Sequence, residues 1–300
     1  MIVRRRGRVE IFDTDASGLI FFGATTRWMA DGEQDLLDAI GMSFEMVNVA
    51  EDSTQGGASA PTRSYEVSID ARMGYLDEFD HELWVSRVGR TSYTISHRML
   101  VDGVVCVQGS IHRVFVEFRP GEGMVPVAVP DVIRRAVTDG PGALAARDRG
   151  PGRGLEHTEG PIVRRKDRVG IYDTDASGLI FYGAPTHWMT VGDLELLRAM
   201  ELNIPTLRNG MGSGAASAPI RRFTVHIDAP MWFRDEYEQI SWVGWVGGTS
   251  YTTNHEFRRD GAVCVRAEML RVNVLADENG ALTPQPLPDQ VLRSRSAGPA

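Results

Sequence analysis

Val9–Met29, VEIFDTDASGLIFFGATTRWM, returns about 160 residues later as Val169–Met189, VGIYDTDASGLIFYGAPTHWM. The likeness continues outward from this stretch. ASAPTRSYEVSIDARM (Ala58–Met73) reappears as ASAPIRRFTVHIDAPM (Ala216–Met231), and TSYTISHRMLVDGVVCV (Thr91–Val107) as TSYTTNHEFRRDGAVCV (Thr249–Val265). A repeat of this length is a duplicated domain, because solenoid units are far shorter. The reading is therefore two units, 1–137 and 162–300. The segment 138–161 between them is rich in Gly, Pro, Arg and Asp and has no apolar period, as a linker does.

Within one unit, Trp28, Met29, Gly32, Leu36, Leu37 and Ile40 fall at helical spacing, as do Trp188, Met189, Gly192, Leu196, Leu197 and Met200. Both copies keep a glycine in mid-helix although it costs about 1 kcal/mol against alanine; close approach to another backbone would explain it. Tyr65, Val67, Ile69 and Ala71 alternate with polar residues, the period of a strand. Segments 82–88, 91–101 and 104–118 follow as further strands, the last two joined by the hairpin turn Asp102-Gly103. A strand, a long helix and an antiparallel run make an α+β domain whose sheet wraps one helix.

Composition narrows the classes. A net charge of −8 argues against a nucleic-acid partner. No apolar run is long enough to span a bilayer, and the N-terminus lacks a signal-peptide pattern, so the expected setting is cytoplasmic. Cys106 and Cys264, far apart and in apolar company, read as buried thiols. No His/Cys/Asp cluster has metal-ligand spacing, so a metal is not expected.

The run Phe12–Phe22, containing Asp13-Thr14-Asp15-Ala16-Ser17-Gly18 and leading to Trp28, resembles the D-x-D-x-x-G signature of the 4-hydroxybenzoyl-CoA thioesterase family. Tyr172–Tyr182 before Trp188 carries it a second time. The resemblance implies a tandem double hotdog, pseudo-dimeric within one chain, that hydrolyses an acyl-CoA or acyl-carrier-protein thioester without a cofactor. It implies a catalytic carboxylate at Asp15 and Asp175, acting as nucleophile or general base. Gly18 and Gly178 would shape the turn, and the main-chain N–H groups of Phe22 and Tyr182 would meet the oxyanion. The region Arg90, Thr91, Ser92, with Thr249 and Ser250 in the second copy, would touch the CoA moiety. Self-association into larger oligomers is a further expectation.

Other readings stand beside this one. Asp before a helix also serves as a cap, and Asp13 reads as structural. His97 and His255 read as packed strand histidines with no nucleophile at a recognisable motif near them. Arg4, Arg5 and Arg6, echoed by Arg164, Arg165 and Lys166, suit either CoA phosphates or solvent. Glu33 or Glu195 is an alternative carboxylate, because a second hotdog lineage uses a helix glutamate. A double-hotdog acyl-CoA hydratase or dehydratase, and a non-catalytic acyl-thioester binding module, are the rival functions.

Overall fold

The computed structural model describes residues 1–15, 18–42, 58–119, 121–141, 160–202, 216–277 and 282–294. The first copy runs β1 (Val3–Arg8), α1 (Ala24–Ala39), β2 (Ala58–Ser59), β3 (Thr62–Ile69), β4 (Glu78–Val88), β5 (Ser92–Val101), β6 (Val104–Val114), β7 (Val116–Arg119), β8 (Gly123–Pro126) and α2 (Asp131–Arg135). The second repeats the order: β9 (Ile162–Arg168), α3 (Ala184–Ala199), β10 (Ala216–Ser217), β11 (Ile220–Ile227), β12 (Glu236–Val246), β13 (Ser250–Arg259), β14 (Ala262–Val272), β15 (Val274–Ala276), β16 (Leu282–Pro284) and α4 (Asp289–Leu292).

The long strands form one ten-stranded antiparallel sheet in the order β1-β4-β5-β6-β3-β11-β14-β13-β12-β9. The halves join where β3 pairs with β11, and Glu66 faces Thr224 there. Those two residues occupy the same position in their copies, and Tyr65↔Val225 and Val67↔Phe223 interchange about them. The register therefore has the two-fold symmetry of an isologous dimer interface, here within one chain.

The hairpin turns form as their residues dictate. Asp102 and Gly103 have φ 48° and 78°, and Asp260 and Gly261 have 51° and 81°, the left-handed pair that a two-residue turn of the primed type demands. The stretch read as one strand over 104–118 is two: β6 stops at Val114, Phe115 turns inward, and β7 leaves to pair with β2 and β8. Phe115, at the break, is buried in the same hydrophobic cluster as Leu36, Tyr93 and Ile133.

Helix α1 buries Ala24, Thr25, Trp28, Met29, Gly32, Glu33, Leu36 and Leu37, a stripe at three- and four-residue spacing. Burying Met29 or Leu36 fully contributes about 1.5–3 kcal/mol. The helix ends in a Schellman turn: Gly41, φ 78°, donates to Asp38 O (3.0 Å), and Met42 N–H to Leu37 O (2.8 Å). Helix α3 ends in the same bonds with Glu201 at φ 57° where the first copy has glycine.

The mid-helix glycines do meet a close neighbour, but it is a side chain rather than a backbone. A Cβ on Gly32 would stand 2.5 Å from His81 Cε1, and one on Gly192 would collide with Gln239 and Ser241. Of the linker, residues 138–141 lie on the first copy: Thr138 N–H donates to Val85 O (3.1 Å), and Arg98 Nη1 donates to Pro141 O (3.1 Å). Residues 142–159 lie outside the described residues.

Candidate active site

The Asp-Thr-Asp loops are built by their own short-range bonds. Asp13 is buried; it accepts from Glu10 N–H at 2.9 Å and from the Arg27 guanidinium, so both of its oxygens hold the turn. Asp173 does the same for Gly170 N–H at 2.8 Å. Gly18 and Gly178, at φ 77° and 82°, make the reversal that follows, and each donates to the preceding Asp15 or Asp175 carbonyl at 3.0 Å. Only glycine adopts this backbone without strain.

Asp175 is half-buried. Its Oδ1 accepts from Ser177 N–H (2.8 Å) and Ser177 Oγ (2.5 Å), an Asx turn, while Oδ2 accepts no hydrogen bond among the described residues. Ser177 thus fixes the carboxylate through one oxygen alone. Ser177 was not singled out from the sequence, although an Asp with Ser two residues on is the signal for such a turn. Asp15, its counterpart, is solvent-exposed, and Ser17 lies outside the described residues.

The second copy's loop then feeds α3. Tyr182 and Gly183 precede it, and their N–H groups make no hydrogen bond among the described residues; the same holds for Phe22 and Gly23 before α1. Free N–H groups at the positive end of a helix suit a developing negative charge. The two helix starts abut across the two-fold. A Cβ on Gly183 would lie 2.6 Å from Thr26 Oγ1, and one on Gly23 2.8 Å from Thr186 Oγ1. The Tyr182 hydroxyl crosses this junction to donate to Thr26 O at 3.0 Å.

Asp175 and Ser177 open onto a cavity of about 630 Å³ whose remaining wall comes largely from the first copy. Leu37 of α1, Ala60–Arg63, Tyr93 and Ile95 of β5, Arg113 of β6, and Val116, Met124 and Pro126 of the small sheet line it with Leu179–Tyr182. The cavity is thus composite: Asp175 comes from the second copy, and most of the wall it opens onto comes from the first.

A buried ion pair stands in that wall. Arg113 donates through Nε and Nη2 to the two Glu33 oxygens (3.0 and 2.7 Å) and through Nη1 to Ala60 O (2.6 Å). Burial works against the Arg113 charge, but Glu33 more than offsets it and holds the guanidinium charged, above its ordinary value. Its carbon lies 5.5 Å from the Tyr182 ring centre. Arg271 and Asp193 repeat the pair in the second copy. Sequence reasoning named Glu33 but not its partner, 80 positions away. Glu195 is a surface residue near Arg165.

The other candidates fall elsewhere. Arg90, Thr91 and Ser92 lead into β5 ahead of the cavity residue Tyr93, and their carbonyls accept from Val129, Phe115 and Gly89 N–H. Thr249 and Ser250 hold the matching places, accepting from Asn273 and Gly247 N–H. None of the five lines the cavity. Arg4 and Arg6 face Glu82 and Asp80, and Arg164 faces Glu238, along the two edge strands. His97 Nδ1 sits 3.1 Å from His81 Nε2, and His255 Nδ1 2.8 Å from Ser241 Oγ; all four residues are buried or fully enclosed, and none reaches the cavity. Ser241 is a hydroxyl partner that the sequence reading did not find, because it lies across the β12–β13 ladder. Among the described residues no group of His, Cys, Asp and Glu could hold a metal ion, and no helix is long and apolar enough to cross a membrane.

No family model and no curated protein matches the chain. Solved structures do. The 12:0-ACP thioesterase from Umbellularia californica aligns over 91% of this chain and 94% of its own at TM-score 0.70 and 12% identity. An acyl-ACP thioesterase from Bacteroides thetaiotaomicron aligns over 90% and 97% at TM-score 0.65 and 15% identity. At such identities the likeness carries the fold alone: this chain has the large antiparallel sheet with few helices found in hotdog-type thioesterases.

Proposed function

We propose that the chain hydrolyses an acyl thioester, of CoA or of an acyl carrier protein, at the composite site of Asp175. The observation that carries this reading is the placement of Asp175. A half-buried carboxylate, oriented by Ser177 through one oxygen, opens onto a chamber whose wall also includes Tyr182 at the start of a helix. Thioester hydrolysis needs a carboxylate or an activated water, and donors for the oxyanion.

In the nucleophilic form, Asp175 Oδ2 bonds to the thioester carbonyl carbon. The carbonyl oxygen takes the negative charge and meets the N–H groups of Tyr182 and Gly183. The C–S bond then breaks and the thiolate leaves; it takes the proton set free when water cleaves the acyl-aspartyl anhydride. That cleavage releases the acid and restores the carboxylate. In the general-base form the same oxygen takes a proton from the attacking water. Each form consumes one water and yields one acid and one thiol.

The rival binding-module reading calls for carboxylates turned away from any pocket, and Asp175 is a cavity residue. The site around Asp15 is the lesser one in this reading: its carboxylate is exposed, and the positions of Tyr182 and Tyr65 are taken there by Phe22 and Phe223. The test is thiol release from a panel of acyl-CoA and acyl-carrier-protein thioesters, with Asp175→Asn as the control. Release from any member that this change abolishes supports the reading; release indifferent to it overturns it.

A further inference from the structure

The chamber is not uniformly apolar, and its polar wall has unused hydrogen-bonding capacity. Arg113 spends three of its five N–H groups, on Glu33 and Ala60, and makes no other bond among the described residues. Its side chain keeps 21% of its exposure, against 5% for Glu33. Tyr93 lines the same cavity while only 2% exposed, and its hydroxyl makes no hydrogen bond among the described residues. Leu37, Ile95, Val116 and Met124 supply apolar wall.

We infer that this site takes thioesters whose acyl chain carries a neutral oxygen function, best a hydroxyl, in preference to a bare hydrocarbon chain or a terminal carboxylate. The inference rests on the proposed site at Asp175 and names its substrate class. A bare chain packed here would strip water from charged N–H donors and return nothing, and sites built to bond a hydroxyl discriminate strongly against its absence. A terminal carboxylate meets an arginine already neutralised by Glu33, and is repelled by that glutamate. A hydroxyl can accept from Arg113 and donate to Glu33 or to the Tyr93 oxygen. The pair also ties α1 to Ala60, a structural duty that Asp193 and Arg271 repeat toward Ala218. The shorter Asp193 shows that an aspartate can fulfil that duty.

The experiment uses the intact chain and non-hydrolysable acyl-CoA thioethers of equal length: unsubstituted, β-hydroxy, ω-hydroxy and ω-carboxy. Calorimetric Kd is measured for each, with turnover of the matching thioesters. The expected result is one hydroxy analogue binding about tenfold or more tighter than the unsubstituted chain, with the ω-carboxy analogue no better than the unsubstituted one. Glu33→Asp and Tyr93→Phe should fold with a normal melting profile and shrink that preference. Equal Kd values, a preference for the carboxylate, or a hydroxyl preference unchanged in both variants would overturn the inference. A hydroxyl preference in Kd without turnover of any thioester upholds the pocket and refutes hydrolysis instead.

Discussion

Tyr65 and Tyr182, from different copies, meet edge to face with ring centres 5.4 Å apart at the junction beside the cavity. Across the two-fold, Phe223 and Phe22 occupy the same positions with centres 5.0 Å apart. The duplication has therefore given one junction two hydroxyls and the other none. Burial pushes the pKa of both tyrosines well above the ordinary value. The Tyr182 hydroxyl is bonded to Thr26 O, whereas that of Tyr65 has no partner among the described residues.

The two tyrosines should respond oppositely to loss of the hydroxyl. Tyr182→Phe removes a bonded group and should cost about 1 kcal/mol. Tyr65→Phe removes an unpaired buried hydroxyl and should be neutral or stabilise by up to about 1 kcal/mol. Urea denaturation of each variant decides it; equal destabilisation by both would contradict the assigned bonding.

Acid should weaken the fold through histidines that must stay neutral. Burial lowers His81 to about 3, with Arg5 adding to the effect, and His255 to about 4; it also holds His97 well below its ordinary value, helped by His81 and Arg113. An unfolded histidine titrates near about 6.5. Each residue's contribution is therefore complete above that pH. It is lost as pH falls toward the folded value, at up to about 1.4 kcal/mol per pH unit per group. His81→Gln installs the residue that the second copy carries at Gln239. The fall in urea midpoint from about pH 7.5 to about 5 should be shallower in this variant than in the parent. An unchanged slope would show that His81 does not set the acid response.

The helix ends offer a stability test that the duplication itself supplies. Glu201, at φ 57°, closes the Schellman turn that Gly41 closes in the first copy. A side chain in the left-handed region costs about 1–2 kcal/mol, partly offset by the greater freedom of glycine in the unfolded chain. Glu201→Gly should raise stability by about 0.5–1 kcal/mol, read from the urea midpoint. A fall in midpoint would mean that the exposed glutamate makes a stabilising contact at that turn.

Much of the architecture was legible because it is local. The repeat, the 3.6-residue stripe of α1, the alternation in β3 and the Asp-Gly turns each depend on neighbours in sequence. The site was legible only in part, because it is assembled from distant positions. Asp175 stood out in its signature, yet Arg113, Tyr93 and Glu33 in the wall of the cavity it opens onto belong to the other copy. Arg113 sits in a strand after Ile111 and His112 with nothing in the pattern to mark it, and its role appears only when β6 brings it over α1. The glycines at 32 and 192 were noticed, but their cause lies in His81 and Gln239 on a neighbouring strand.

The central claim is that Asp175 supplies the working carboxylate, and single substitutions under saturating substrate test it most directly. Asp175→Asn is nearly isosteric and should leave the fold intact while lowering kcat by about 100-fold or more. Asp15→Asn should leave kcat within about twofold of the parent. Equal, half-sized losses from the two changes, or full turnover in Asp175→Asn, would contradict the account.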